Sequence, residues 1–477
     1  MTWLLLILVI TLLGIIVETF ARGVLLRWLP IGVTVVNIPL FIVQLVTGEL
    51  QTTSVFSLTL LSAFLASITL FIGCTASIYS LGYVQSHLQE VEGSGSRQAR
   101  SYYVLFMAFY FSLLVATLLN NILLTWGAIE LTALSSVLLV DWNHTRLTHE
   151  ASWKYIVIME TAGLLALFGL LLLLASTGTP VAAATWTNLA QAADSLTPEV
   201  QRIAFVFVLV GFGSKAGLVP FNFWLPDAHS QAPSPISAML SAIKLNTAMY
   251  GIVQMQKVIL AGGQGRFADH TLLTVGFVTV AVSTLMTVYQ RDFKRLFAYS
   301  SSENLGLVAI GFSLGPIGML GAYLQMANHS LIKSMLFYHT GELHRIWGSN
   351  DMRGLSGIAQ ILPRTGRSLV LGMLAIAGAP PFGLFLGEFF IVFDLLKHSS
   401  TWLAVLLLLL LAILFANFLR YALSLGYGET SSRLLRHGVP IEPATVLLPT
   451  AGHLLASLAL GLILPVIVVG LHLTGIS

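Results

Sequence analysis

The sequence predicts an all-α integral membrane protein of about 14 transmembrane helices, and three observations predict it. Of the 477 residues, 56% are hydrophobic and only 9% charged, with a mean hydropathy of +0.87, whereas soluble domains carry about 25% charged residues. Apolar stretches of the roughly 20 residues needed to cross a bilayer recur along the chain. Lys and Arg are largely confined to the short segments between those stretches. This composition excludes a water-soluble enzyme, and a net charge of +3 is too small to indicate a nucleic-acid partner. The single cysteine, Cys74, excludes an internal disulfide and a cysteine-built metal cluster. Met1-Thr2-Trp3 carries no basic n-region, so the first apolar run reads as a retained helix rather than a cleaved signal.

In order along the chain, spans are expected near 3–20, 29–47, 54–83, 101–119, 121–140, 153–176 and 203–224. The remainder fall near 234–256, 271–289, 296–315, 317–341, 368–396, 402–424 and 446–472. With both termini outside, 15 of the 23 Lys and Arg residues, Arg433 and Arg436 among them, fall at the inner surface. Arg202, Lys257, Arg266 and Lys397 fall outside, and Lys215, Lys244, Lys333 and Arg420 lie within spans. This asymmetry is what the positive-inside rule expects, and one miscounted helix would scramble it. The longest polar segments are 84–100, with a flexible Gly93-Ser94-Gly95-Ser96 loop, 177–199 and 343–366. A short amphipathic helix on the outer surface is expected over 182–195. No segment is large enough for a nucleotide fold or a catalytic domain. Residues 1–477 therefore read as one membrane domain: three N-terminal helices (1–100), a first repeat (101–260), a second repeat (271–424) and a C-terminal helix (446–477).

The repeat reading rests on two interrupted spans. Gly217-Leu218-Val219-Pro220-Phe221 breaks the seventh and Gly378-Ala379-Pro380-Pro381-Phe382 the twelfth. Paired breaks at corresponding positions of two halves point to inverted repeats, here helices 4–8 and 9–13. Each half also carries an acid two helices before its break, Glu130 and Glu303. The separations Glu130 to Lys215 and Glu303 to Glu388 are both 85 residues, which supports the repeat.

Ionisable residues at mid-span are costly in hydrocarbon and mark ion pathways. Lys215 lies near the first break, about ten residues from either end of the Phe205–Trp224 stretch, too deep for a snorkelling lysine to be the better account. Glu130 is its expected partner, since each charge lowers the cost of burying the other; the rival is a protonated carboxyl bonded to a neighbouring helix. Lys244, in Ala242-Ile243-Lys244-Leu245-Asn246, can relay protons once desolvated. Glu303 follows Ser300-Ser301-Ser302, hydroxyls that suit either a wet passage or interhelical bonding. His329 and Lys333, four apart, share one helical face, and Glu388 stands beyond the second break. Asp394 reads as a rim residue near Lys397, and Arg420 as a side chain snorkelling to a membrane surface. Two decoys fail on spacing. Gly211-Phe212-Gly213-Ser214-Lys215 meets neither phosphate-loop pattern, and His339 and His344, five apart, fall on different helix faces.

The block Ser214-Lys215-Ala216-Gly217-Leu218-Val219-Pro220-Phe221-Asn222-Phe223-Trp224-Leu225-Pro226-Asp227-Ala228-His229 resembles a known family. It is similar to the antiporter-like subunits of respiratory complex I, Mrp-type sodium/proton antiporters and membrane-bound group-4 hydrogenases. The likeness continues through Ala232-Pro233-Ser234-Pro235-Ile236-Ser237-Ala238, the segment Asp292 to Ser300, Asn328-His329-Ser330-Leu331-Ile332-Lys333 and Gly387-Glu388-Phe389. Ala232-Pro233-Ser234-Pro235, Ser300 to Asn304 and Trp153-Lys154-Tyr155 look most like component F of hydrogenase and formate hydrogenlyase-type complexes. The resemblance implies a fourteen-helix fold with inverted five-helix repeats. It gives Glu130 and Lys215 the role of the pumping pair, Lys244 that of the eighth-helix lysine, and His329 with Lys333 that of the central relay. Glu388 matches the terminal acid or lysine of the twelfth helix. Because the sequence stops at Ser477, without a long lateral helix, it does not look like the distal complex I subunit.

The expected function is proton translocation, with sodium as the alternative ion, by a subunit of a multisubunit energy-converting complex in a bacterial or archaeal cytoplasmic (inner) membrane. The proton-translocation residues are expected to be Glu130, Lys215, Lys244, Glu303, His329, Lys333 and Glu388. Two alternatives stand beside it: a proton-conducting subunit of an inorganic-carbon accumulation complex, and a non-conducting scaffold of a redox complex. No cofactor or metal ligand set is expected in this chain. The expected partners are other membrane subunits, a second antiporter-like subunit, lipid, and a peripheral arm that is either redox-active or carbonic-anhydrase-like.

Overall fold

The computed structural model describes residues 2–47, 52–89, 95–398, 401–429 and 441–473, and the chain divides into two compact units, Met1–Leu272 and Leu273–Ser477. Among the described residues the structure is helical, with only isolated β-bridges.

The first unit contains α1 (Thr2–Phe20), α2 (Gly23–Thr47), α3 (Leu60–Gln89), α4 (Gly95–Leu118), α5 (Ile122–Val140), α6 (Arg146–Thr177) and α7 (Trp186–Ala192). These are followed by α8 (Pro198–Lys215), α9 (Trp224–Gln231), α10 (Ser234–Met239), a π turn at Leu240–Lys244, and α11 (Leu245–Ala261). Helix α12 (Gly265–Val288) begins in this unit and continues into the second. The second unit adds α13 (Phe293–Phe312), α14 (Pro316–Trp347), α15 (Ile358–Ile361), α16 (Pro363–Ile376), α17 (Gly383–His398), α18 (Thr401–Tyr427) and α19 (Ala444–Leu473).

Side-chain caps fix where the site-bearing helices start. The Asn121 carboxamide accepts from the Leu123 and Leu124 amides at 3.1 Å and opens α5. Thr145 and Thr148 form a reciprocal capping box at α6, and Asp292 accepts from the Arg295 amide at 2.9 Å at α13. Each cap satisfies amides that have no partner inside the helix.

Both expected breaks are present, with matching backbones. Helix α8 stops at Lys215 and the chain resumes helical form at Trp224; α16 stops at Ile376 and α17 starts at Gly383. Gly217 and Gly378 take φ of +75° and +78°, which a residue without Cβ adopts freely, and Val219–Pro220 and Pro380–Pro381 are cis. Helices α6 and α8 pack closely because glycine replaces bulk at the contact. A Cβ on Gly211 would run into the Ala162 carbonyl, and one on Gly169 into that of Ala204.

Among the described residues ten helices are long and apolar enough to cross a membrane. The four other expected spans are those bearing Lys215, Glu303, the His329–Lys333 pair and Glu388. The breaks and buried polar side chains that suggest function also lower the length or apolarity of these helices. The 182–195 segment forms α7 flanked by single 3₁₀ turns, with Trp186 and Leu189 buried and α7 packed on α11. Helices α3 and α4 extend well into the expected 84–100 loop. Gly93, Ser94, Arg433, Arg436 and Ser477 lie outside the described residues.

Candidate functional site

In the first unit Lys215 is the last residue of α8, where unpaired helix carbonyls favour a cation. Its side chain is fully buried. The ammonium donates to Glu130 Oε2 and to the Met159 carbonyl, each at 2.8 Å. Glu130 Oε1 is buried without a hydrogen-bond partner. The carboxyl lies where a side chain on Gly163 would stand, so α6 must carry glycine there for α5 to bring the acid in. Trp126, one turn before Glu130, donates Nε1 to the Gly163 carbonyl at 2.8 Å and fastens α5 to α6 at that level.

Lys244 closes the π turn, a distortion that recurs at functional sites. Its ammonium donates to Tyr155 Oη in a short contact and lies 3.7 Å from Met159 Sδ. It also stands 4.2 Å from the Tyr155 ring centre and 5.1 Å from that of Trp224, within cation–π range. Tyr155 Oη and Ser136 Oγ are 2.7 Å apart. Met159 therefore touches both lysines, one through its carbonyl and the other through sulfur. Tyr155, Met159 and Gly163 are spaced by four and share one face of α6.

The second unit is built differently. Glu303 Oε2 accepts from Asn304 Nδ2 at 2.8 Å, and Asn304 Oδ1 accepts from Gln325 Nε2 at 2.7 Å. Gln325, His329 and Lys333 follow one another at four-residue intervals on α14, all fully buried. Lys333 donates to the Phe297 carbonyl at 2.6 Å with that ring 5.5 Å below it. Glu388 on α17 is buried and folds back to fill the space beside Gly378. Among the described residues no ion pair forms to Glu303, Lys333 or Glu388, although Glu303 lies within electrostatic reach of the other two.

The structure thus brings Glu130, Lys215 and Lys244 together in one unit, and Glu303, His329, Lys333 and Glu388 into the other. The equal 85-residue separations do not mark equivalent positions. Lys215 ends the helix before its break, whereas Glu388 lies in the helix after its own. Asp394 is a buried helix cap rather than a rim residue: Oδ2 accepts from the Gly318 amide at 2.9 Å in the first turn of α14. Ser302 bonds Ser283 of α12 at 3.0 Å, so this hydroxyl joins two helices. Arg420 donates to the Val288 carbonyl and Asn417 Oδ1. His339 meets Ser368, and His344 meets Asn350.

Sequence reasoning missed Met159, Gly163, Trp224, Asn304 and Gln325 as parts of these groups, and used Tyr155 only for likeness. The four-residue spacing on α6 was the available signal. It also missed Glu18, buried in α1 with neither carboxylate oxygen hydrogen-bonded among the described residues.

Residues 119–414 match the family described as NADH:quinone oxidoreductase/Mrp antiporter, TM, and the chain belongs to this family of antiporter-like membrane subunits. It is 36% identical over 403 residues to the hydrogenase-4 component F homolog of Methylacidiphilum infernorum, covering 83% of each chain. Two solved structures share the fold. A chain of the archaeal membrane-bound sulfane sulfur reductase aligns with a TM-score of 0.85 at 22% identity, over 97% of this chain and 94% of its own. A chain of respiratory complex I from Thermus thermophilus gives 0.76 at 19% identity, over 96% and 98%. The family read from the Ser214 to His229 block is borne out, as is the component F likeness read from Ala232 to Pro235, Ser300 to Asn304 and Trp153 to Tyr155, and the protein is a multi-pass membrane protein.

Proposed function

We propose that this chain moves protons, with sodium as the alternative ion, as one subunit of a multisubunit energy-converting complex of the group-4 hydrogenase type. The observation that carries the proposal is the Lys215 ammonium held between Glu130 and the Met159 carbonyl in a fully buried site. Such a pair is sensitive to distance. When Glu130 moves away, the uncompensated cation is costly and Lys215 releases its proton; when Glu130 returns, the lysine reloads. Lys244, Tyr155 and Ser136 are the next groups within the unit able to accept or pass a proton. Glu303, His329, Lys333 and Glu388 supply exchangeable protons in the second unit.

Moving one charge across the membrane against its potential requires about 2.3 kcal/mol per 100 mV. The sequence shows no redox-centre ligand set, so on this reading the energy comes from a downhill ion gradient or from partner subunits: other membrane subunits, a second antiporter-like chain and a redox arm. The relative named as a hydrogenase-4 component F homolog supports the hydrogenase type among the alternatives. On this reading the complex sits in a bacterial or archaeal cytoplasmic membrane, with both termini of this chain outside. The test is ion uptake into vesicles reconstituted with the purified complex. Lys215→Ala and Glu130→Ala should each abolish coupled uptake, and wild-type flux in either variant would overturn the scheme.

A further inference from the structure

The five-residue connection between α5 and α6 brings together three potential metal ligands that the translocation reading does not use. Asp141 caps the end of α5, His144 sits in the turn and His149 lies in the first turn of α6. One donor atom from each falls within 4.8 Å of the others. His149 Nδ1 is 2.8 Å from the Asp141 carboxylate, and His144 Nδ1 is 3.6 Å from it. Zinc bonds to nitrogen and carboxylate oxygen are about 2.0–2.2 Å, which sets tetrahedral ligand atoms about 3.3–3.5 Å apart. The two histidine–carboxylate separations bracket that value, and the two histidine nitrogens lie within 4.8 Å of each other, so side-chain rotation can close the set.

The cluster is reached from the surface through its two histidines. Trp142 is buried and exchanges two hydrogen bonds with Gln98 on α4, its Nε1 donating to the Gln98 carbonyl at 3.1 Å and its carbonyl accepting from Gln98 Nε2 at 3.3 Å. Trp142 is thus pinned inward, while Asp141, beside it, keeps 21% of its side chain exposed. His144 alone among the described non-glycine residues takes a positive φ, +49°. The side chains of His144 and His149 are 70% and 57% exposed, open to a cation and to a completing water. Two imidazoles and one carboxylate form a borderline donor set suited to zinc, with a vacant fourth position.

We propose that Asp141, His144 and His149 bind a zinc ion that fastens the end of α5 to the start of α6. Resting on the translocation reading above, the consequence is regulatory. Helix α5 supplies Glu130, and α6 supplies the Met159 carbonyl and Tyr155, so a clamp across their connection restrains the motion that loads and unloads Lys215.

Zinc chloride titrated into the chelator-treated purified complex tests the site directly, with calorimetry for affinity and hydrogen exchange for the helix ends. Wild type should gain one tight equivalent over His149→Ala and His144→Ala, whose affinity at that equivalent should fall at least tenfold. Zinc should also slow exchange around residues 138–150 in wild type and not in the variants. Unchanged zinc affinity in both variants overturns the site, and zinc binding without altered exchange overturns the clamp. Ion uptake is the separate arm: zinc should slow it in wild type and not in His149→Ala. Zinc that clamps the helices yet leaves uptake untouched would count against the role given to α5 and α6 in translocation, not against the metal site.

Discussion

The two units bury ionisable groups by different means. In the first, Lys215 and Glu130 neutralise each other across 2.8 Å, and the Met159 carbonyl accepts a second hydrogen bond from the ammonium. In the second, Glu303 leans on a carboxamide chain, Lys333 on a backbone carbonyl and Glu388 on the space beside a glycine. A buried ion pair changes steeply with distance, since its attraction is large only in a medium of low dielectric. Neutral hydrogen-bond partners hold position but give up less when they shift. On the proposed function, the first unit is the element that responds to an external push, and the second a set of proton-holding stations.

The largest expected effect follows from separating charge from transport. Removing one partner of a buried pair costs about 3–5 kcal/mol, so Glu130→Ala should both destabilise the complex and stop uptake. Combining Glu130→Gln with Lys215→Met removes both charges. The double variant should regain most of the thermal stability while uptake stays absent, and recovery of uptake would break the comparison. Glu303→Gln in the second unit should cost less stability than Glu130→Ala, because a carboxamide can keep the Asn304 contact.

Glycine substitutions sharpen the contrast next. Gly163→Ala places a methyl on the Glu130 carboxyl, and Gly378→Ala does the same to Glu388 at a backbone of φ +78°. The second carries an added backbone cost of about 1–2 kcal/mol for the left-handed conformation. Uptake should fall about tenfold in Gly163→Ala, whereas Gly378→Ala should show the larger loss of thermal stability. Equal stability losses would remove the distinction.

A smaller change is expected at Tyr155. Tyr155→Phe keeps the ring beneath Lys244 but deletes the hydroxyl that accepts its hydrogen bond. Uptake should slow several-fold with little change in expression or assembly; no change would restrict Tyr155 to packing.

The smallest effect concerns acid stability outside the membrane. Asp351 accepts from the Arg353 guanidinium at 2.6–3.0 Å and from its amide at 2.9 Å, which holds its pKa at about 2 against an ordinary 3.8. Its folded pKa is depressed, so its contribution is full above about pH 4 and fades as pH falls towards 2. The pair is exposed and screened. Asp351→Asn should therefore leave uptake unchanged and lower the melting temperature only slightly at pH 7, a difference that closes as pH falls towards 2; altered uptake at pH 7 would implicate this loop in the mechanism.

Much of this architecture could be read directly from residue order. Membrane insertion follows from apolar length, the two breaks from Gly-Pro pairs, and the buried pair from the cost of placing Glu130 and Lys215 in hydrocarbon. The family was legible because the Ser214 to His229 block combines break, lysine and flanking aromatics. Contacts between helices were less legible. Glycine at 163 reads as helix packing until α5 is seen to lay a carboxyl there. Asp394 reads as a rim charge until the first turn of α14 is seen to donate to it.

Sequence by itself determined that this protein spans a membrane, where its helices break and which charges it buries, because solvation cost depends on residue type and local run length. Tertiary structure decided that Lys215 meets both Glu130 and the Met159 carbonyl, that Met159 touches two lysines, and that Asp141 converges with two histidines. Those outcomes depend on helix rotation and depth, which side-chain packing sets and linear spacing does not.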